Sequence, residues 1–297
     1  MTTIVIGFDG SSESRDALHL GSAIGRAMSS DLIVATASNP RLDSGADAEV
    51  FTGIFNRARQ ELPHREFAMR EIRDVGAVGG LKDLAAREQA DLIVIGSTHR
   101  GQLGRVVPGS VGERLLSGAS CPVAVAPRGY ANAEHFGLGL IGVAFDGSPD
   151  ARIALQYAIA LAQRLDSMLR IVTIMPSIEP AADSTFRIVT EDHARDVRDA
   201  ALDELPPGVE GESVLEEGDP ARALARHGVD LDLLVVGSRG YGPLRRTLLG
   251  GVSADVMRTA PCPVIAVPRT AAPVPEDRAF EQNGALAGGL ARGGRNT

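Results

Sequence analysis

Short apolar runs, some of them closed by glycine or aspartate, recur along the chain and alternate with longer stretches of helical period. "TIVIGF" at residues 3–8 and "LIGVAF" at 140–145 are continuous apolar runs, the pattern of a strand buried on both faces. "LIVATA" and "LRIVTIM" read as second strands. After "LIGVAF" the segment "DGSP" supplies a helix start, with Ser148 as N-cap, Pro149 at the first helical position and Asp150 in the first turn. Ile153, Tyr157, Leu161 and Leu165 follow at spacing four and predict one apolar stripe. "GDPARALARHGVD" predicts a capped helix leading into the strand "LDLLVVG", and "VGGLKDLAAREQADLIVIG" answers it in the first half. Last helices around "GERLLSGA" and "SADVMRTA" precede the strands "PVAVAP" and "PVIAVP". The stretch after each second strand is longer and less regular. Alternating βα units of this kind predict a parallel, doubly wound sheet with right-handed crossovers.

The pattern is written twice. "IVIGFDGSSESRDAL" returns as "IGVAFDGSPDARIAL", "ADLIVIGS" as "LDLLVVGS" and "SCPVAVAPR" as "PCPVIAVPR", at an offset near 140 residues. That offset is too long for a solenoid repeat and fits a duplicated domain. The expected division is a first domain over 1–130, a short linker around "YANAEHFG", a second domain over 138–270, and a tail from 271 to 297. The tail is rich in Ala, Gly and Pro and is expected to be disordered. A chain of 297 residues is long enough for two cores.

Composition narrows the partners. The net charge of −8 leaves no basic footprint, so nucleic acid is not an expected partner. No apolar run approaches the roughly 20 residues that span a bilayer, and "MTTIVIGFDG" lacks a signal-peptide pattern; no membrane partner and a cytoplasmic location are expected. Cys121 and Cys262 show neither disulfide nor zinc spacing and read as small buried residues at a helix end.

The chemistry sits in the glycine-rich loops. In doubly wound sheets ligands bind beyond the carboxyl ends of the strands, where Asp9, Gly96, Asp146 and Gly237 fall. Each loop runs from a Gly-Ser at a strand end to a second glycine pair thirteen residues on, Gly109-Ser110 and Gly250-Gly251. Glycine admits close backbone approach to an anion, and the helix that follows offers free N–H groups to a phosphate. Arg105 and Arg246 lie inside the loops, either to neutralise phosphate or as solvated charges. No convincing nucleophilic Ser/His/Asp set or carboxylate pair is present, and the single lysine, Lys82, rules out a Walker-type loop. No catalytic residue and no protein metal site is therefore assigned.

These motifs resemble the universal stress proteins in tandem form, whose motif is GxxG, nine residues, then Gly followed by Ser or Thr. The second half carries Gly237, Gly240 and Gly250 but has Gly251 at the hydroxyl position; the first keeps Gly96, Gly109 and Ser110 but has His99 for the second glycine. The resemblance implies, in each half, a five-stranded, mainly parallel sheet with helices on both faces, an adenine nucleotide alpha hydrolase-like fold. It also implies that ATP, with Mg²⁺, is the ligand. By position, Asp9 and Asp146 would contact the adenine side of the pockets, with Gly7, Phe8, Ala144 and Phe145 among the nucleotide-binding residues. Ala37 and Ile174 would line the base, while Val111, Val252 and Ser253 would open the phosphate-facing helices. The last strands would pair across a pseudo-twofold, making an internal dimer, and whole chains would dimerise further. Nucleotide binding in a stress response, without efficient turnover, is the leading expectation; a ligand-free interaction module and a slow ATP hydrolase are the alternatives.

Overall fold

The computed structural model describes residues 2–37, 44–73, 76–98, 105–106, 108, 110–116, 118–133, 137–177, 183–238, 251–269 and 271. The first half runs β1 (Thr3–Gly7), α1 (Ser12–Ala27), β2 (Asp31–Ala37), α2 (Ser44–Glu61), β3 (Ala68–Ile72), α3 (Gly76–Arg87), β4 (Leu92–Gly96), α4 (Ser110–Leu116) and β5 (Val123–Ala126). The second repeats it as β6 (Leu140–Ala144), α5 (Pro149–Leu165), β7 (Met168–Met175), α6 (Ser184–Asp203), β8 (Gly211–Glu217), α7 (Pro220–His227), β9 (Leu233–Gly237), α8 (Gly251–Thr259) and β10 (Val264–Val267). The pairs α2 and α6, and β3 and β8, occupy the stretches whose pattern resolved into no particular element. Their sequences explain why: β3 and β8 are edge strands with mostly half-exposed or charged positions, "AMREI" and "GESVLEE". Charge on an edge discourages pairing with other chains and also erases the apolar signature of a strand.

The ten strands of the described residues form one sheet in the order β3-β2-β1-β4-β5-β10-β9-β6-β7-β8. Within each half every pairing is parallel, for example Val5 opposite Ile33 and Ile93. The halves meet where β5 and β10 pair antiparallel, with Ala124 opposite Ile265. Two buried layers follow from the two-residue side-chain period. Ile4, Ile6 and Phe8 join a cluster with α1 and α5, whereas Val5 joins the opposite one with α3, α4, α7 and α8. Each cluster draws on both halves, so the core is continuous across the seam.

The helix starts follow local rules. Ser11 caps α1 and Ser148 caps α5, each hydroxyl accepting the N–H three residues on, and Asp219 does the same for α7. The stripe expected on α5 is only partly its buried face: Tyr157 and Leu161 are buried, Ile153 and Leu165 half-buried, and Ala154, Leu155, Ala158 and Ala162 complete a wider surface. A helix laid over the middle of a continuous sheet buries more of its circumference than one on a free edge. The start of the linker is also docked rather than free. Tyr130 is buried, and the carboxylate of Asp16 accepts the N–H groups of Gly129 at 2.7 Å and Ala131 at 2.8 Å. Burial pushes the Cys121 thiol to about 11 and the Cys262 thiol to about 12, so both are protonated at neutral pH, in keeping with packing roles. Among the described residues no helix is long and apolar enough to cross a membrane. The tail from residue 272, with His99, Gly109, Gly240, Arg246 and Gly250, lies outside the described residues.

Candidate functional site

Strand order reverses on either side of β1 and again on either side of β6, and a pocket opens at the carboxyl end of each. In the first half β1 delivers Gly7, then Phe8, whose ring is buried, then Asp9. Oδ1 of Asp9 accepts the N–H of Ser11 at 2.9 Å and its hydroxyl at 2.5 Å. Gly10 between them has φ of 81°, a conformation open to glycine and costly for other residues. The second half repeats the turn, with the Ser148 N–H donating to Asp146 Oδ1 at 2.9 Å and Gly147 at φ 75°. Burial opposes ionisation of Asp9, but the hydrogen bonds of Ser11 and Ser14 outweigh it and hold the carboxyl below its ordinary value. Asp9 is therefore an anion at neutral pH.

Of the expected residues, Gly7, Phe8, Asp9, Ala37 and Gly96 line the first pocket, and Ala144, Phe145, Asp146, Ile174, Gly237, Val252 and Ser253 line the second. Ser110 and Val111 begin α4, and Gly251 begins α8. Sequence reasoning missed the wall supplied by the helix after the third strand. Ala77 and Leu81 stand on α3 in the first pocket, and Pro220 and Leu224 occupy the same places on α7 in the second. Their common spacing of four was a usable signal. Glu13 and Gly112 in the first pocket were missed as well.

The two pockets differ in size, about 470 Å³ in the first and about 50 Å³ in the second. Three matched positions account for the direction of the difference: Ala37, Ala77 and Gly112 in the first pocket against Ile174, Pro220 and Ser253 in the second. Ser253 also spends its hydroxyl on the Gly237 carbonyl at 2.7 Å. The carboxylates in the first turns differ too. Asp150 is almost fully buried and held by both arms of Arg269, at 2.7 and 2.5 Å, while Glu13 stands 3.8 Å from Arg128.

The strand-end glycines serve packing before any ligand. A Cβ on Gly96 would fall 1.9 Å from the carbonyl oxygen of Glu13, and one on Gly237 2.9 Å from that of Asp150. Arg105 does not line the first pocket; its guanidinium donates to the Thr259 carbonyl at 2.6 Å, at the far end of α8, and the Val106 N–H donates to Ala260 at 2.9 Å. A cation at a helix C-terminus meets the negative end of the dipole, so this arginine ties one half to the other.

Comparison with known proteins accords with this architecture. The sequence profile of the universal stress protein family matches residues 1–127 and again residues 139–268. A universal stress protein of Mycobacterium tuberculosis is 34% identical over 186 residues, 60% of this chain, and the match spans 61% of that relative's length. Another from the same organism is 26% identical over 296 residues, covering 90% of this chain and 99% of its own. The crystal structure of a universal stress protein from Archaeoglobus fulgidus superposes with a TM-score of 0.60 at 21% identity, covering 90% of this chain and 98% of that one, and shares the fold. With the family profile matched over both halves, the chain belongs to the universal stress protein family.

Proposed function

We propose that this chain is a cytoplasmic stress-response module that binds adenine nucleotide, ATP with Mg²⁺, in its first pocket, and that occupancy rather than turnover carries its signal. The carrying observation is the chamber of about 470 Å³ at the carboxyl ends of β1, β2 and β4, within the size range of small-molecule sites. Ala35, Ala37, Ile72 and Leu81 offer apolar walls to a base. The Asp9 carboxylate has lone pairs beyond those used by Ser11 and can accept from an exocyclic amine. Asp9 and Glu13 together disfavour a bare polyphosphate, which argues for the magnesium chelate. Among the described residues no group of three His, Cys, Asp or Glu side chains could hold a metal, so the ion would arrive on the phosphates. No described side chain is assigned as a base for hydrolysis. Further dimerisation of whole chains belongs to the same proposal.

Calorimetry with ATP and Mg²⁺ should give one site per chain. Ala37 is exposed at the pocket rim, so Ala37→Trp should fold normally and weaken binding by at least about 100-fold, a loss near 2.7 kcal/mol. Absence of ATP binding at millimolar concentration, or binding untouched by Ala37→Trp, would overturn the reading. Gly251→Ser distinguishes the halves. Nothing lies within 4 Å of a Cβ there, so the serine fits, and ATP affinity should stay unchanged. A gain approaching about tenfold, the worth of one neutral hydrogen bond, would move the site to the second half.

A further inference from the structure

The two halves place an acidic residue at the same point, in the first turn of the helix after the first strand, and use it differently. The Asp150 side chain is 5% exposed, is held by both arms of Arg269, and is not among the described residues that line the second pocket. Glu13 is one carbon longer, its side chain is 13% exposed, and it lines the first pocket. Its Oε2 accepts the Ser12 hydroxyl at 2.9 Å. The Arg128 guanidinium stands 3.8 Å from Oε1, within ion-pair range but beyond a hydrogen bond. A carboxylate has about four acceptor sites, and Ser12 fills one of them. Arg128 already balances the charge, so what Glu13 can still take from a ligand is hydrogen-bond donors rather than a cation.

The topology says which part of a ligand reaches it. The order β3-β2-β1-β4 puts the apolar walls Ala35, Ala37 and Ile72 on one side of β1. On the other side the Glu13 carbonyl packs against Gly96 at the end of β4, and the pocket continues to Ser97, Thr98 and Gly112. A base against the apolar walls and phosphates beyond β4 leave the sugar over β1 and β4, beside Glu13. A ribose presents two adjacent hydroxyl donors there, whereas a phosphate in that place would be repelled by the carboxylate.

We propose, resting on the adenine-nucleotide reading of this pocket, that Glu13 reads the sugar: its carboxylate accepts the 2′- and 3′-hydroxyls of a ribose, so the site takes ribonucleotides and discriminates against 2′-deoxyribonucleotides. A deoxy sugar withdraws one donor from a largely buried carboxylate, and hydrogen bonds to a charged group weigh more than those between neutral partners. The second half has no such reader, because Asp150 is spent on Arg269.

Calorimetry on the full chain with Mg²⁺ and either ATP or 2′-deoxy-ATP tests this. ATP should bind at least about tenfold more tightly than its deoxy counterpart. Glu13→Gln keeps the length of the side chain and can still accept from Ser12, so the variant should fold. Its amide offers one oxygen where the carboxylate offers two, and the preference for ATP should fall below about threefold. Failure of ATP itself to bind at millimolar concentration would remove the nucleotide reading and this proposal with it. Equal binding of the two nucleotides by the native chain would leave the nucleotide reading in place and overturn the role of Glu13. A full preference that survives Glu13→Gln would overturn it as well, by putting the sugar contact elsewhere.

Discussion

Gly96→Ala should destabilise the protein by at least about 3 kcal/mol, with a fall in melting temperature of roughly 6–12 °C in thermal unfolding followed by circular dichroism. The added methyl would fall 1.9 Å from the Glu13 carbonyl oxygen and 3.2 Å from the Ser14 nitrogen, both in the first turn of α1. Backbone cannot swing aside as a flexible side chain does, so α1 must lift from β4. That movement also displaces Glu13 and the serine turn holding Asp9, so the nucleotide binding proposed for this pocket should weaken in the fraction that stays folded. Gly237→Ala is the matched control. Its methyl would fall 2.9 Å from Asp150, a distance relieved by a small shift, and the expected cost is about 1–2 kcal/mol. Equal melting temperatures for the two variants would show that the tight contact at Gly96 does not exist in solution.

The same residue shows where sequence reasoning stops. Strand ends, helix caps and the twofold repeat were legible because they depend on neighbours within a few residues. So was the position of Gly96 at a strand end. The contact that explains it joins residues more than eighty positions apart and leaves no local trace, so a phosphate loop was the natural reading. Arg105 repeats the lesson. Its place in a glycine loop left open a phosphate partner or a solvated charge, and the structure shows neither: the guanidinium meets the end of α8 in the other half. Asp9 and Ala37 share one pocket, and Asp146 and Ile174 the other, because each pair closes neighbouring parallel strands, whose ends the topology must bring to one edge. The difference in size between the pockets was readable only after α3 and α7 had been placed, since Ala77 and Pro220 belong to neither glycine motif.

Ala124→Asp should act on the seam. Ala124 is fully buried, faces Ile265 across the antiparallel pair, and belongs to the cluster shared by both halves. A carboxylate there has no partner and no water, and burying one uncompensated costs several kcal/mol, on the order of 3–5. The loss should appear as a lower melting temperature at neutral pH and should shrink as acid protonates the new side chain. The sign follows from its raised folded pKa: the neutral form is the one the interior tolerates, so relative stability returns as pH falls through that value. Ala124→Val, which keeps the site apolar, should cost far less. An aspartate variant that melts like the native chain would mean that β5 and β10 do not form a buried pair in solution.

The position of β5 also sets a schedule for synthesis. It is complete by residue 126, yet its outer neighbour β10 is the last of the described strands and ends at residue 267. At about 5–20 residues per second, a ribosome needs on the order of ten seconds to cover that distance. During that interval the nascent first half carries a wholly apolar strand, "VAVA", with one edge unpaired. Two ribosomes working in sequence on one message would hold such edges near each other, and a foreign β5 is the obvious substitute for the strand still to come. Fusion of the tandem halves into one polypeptide thus secures the correct partner in space while making the first half wait for it in time.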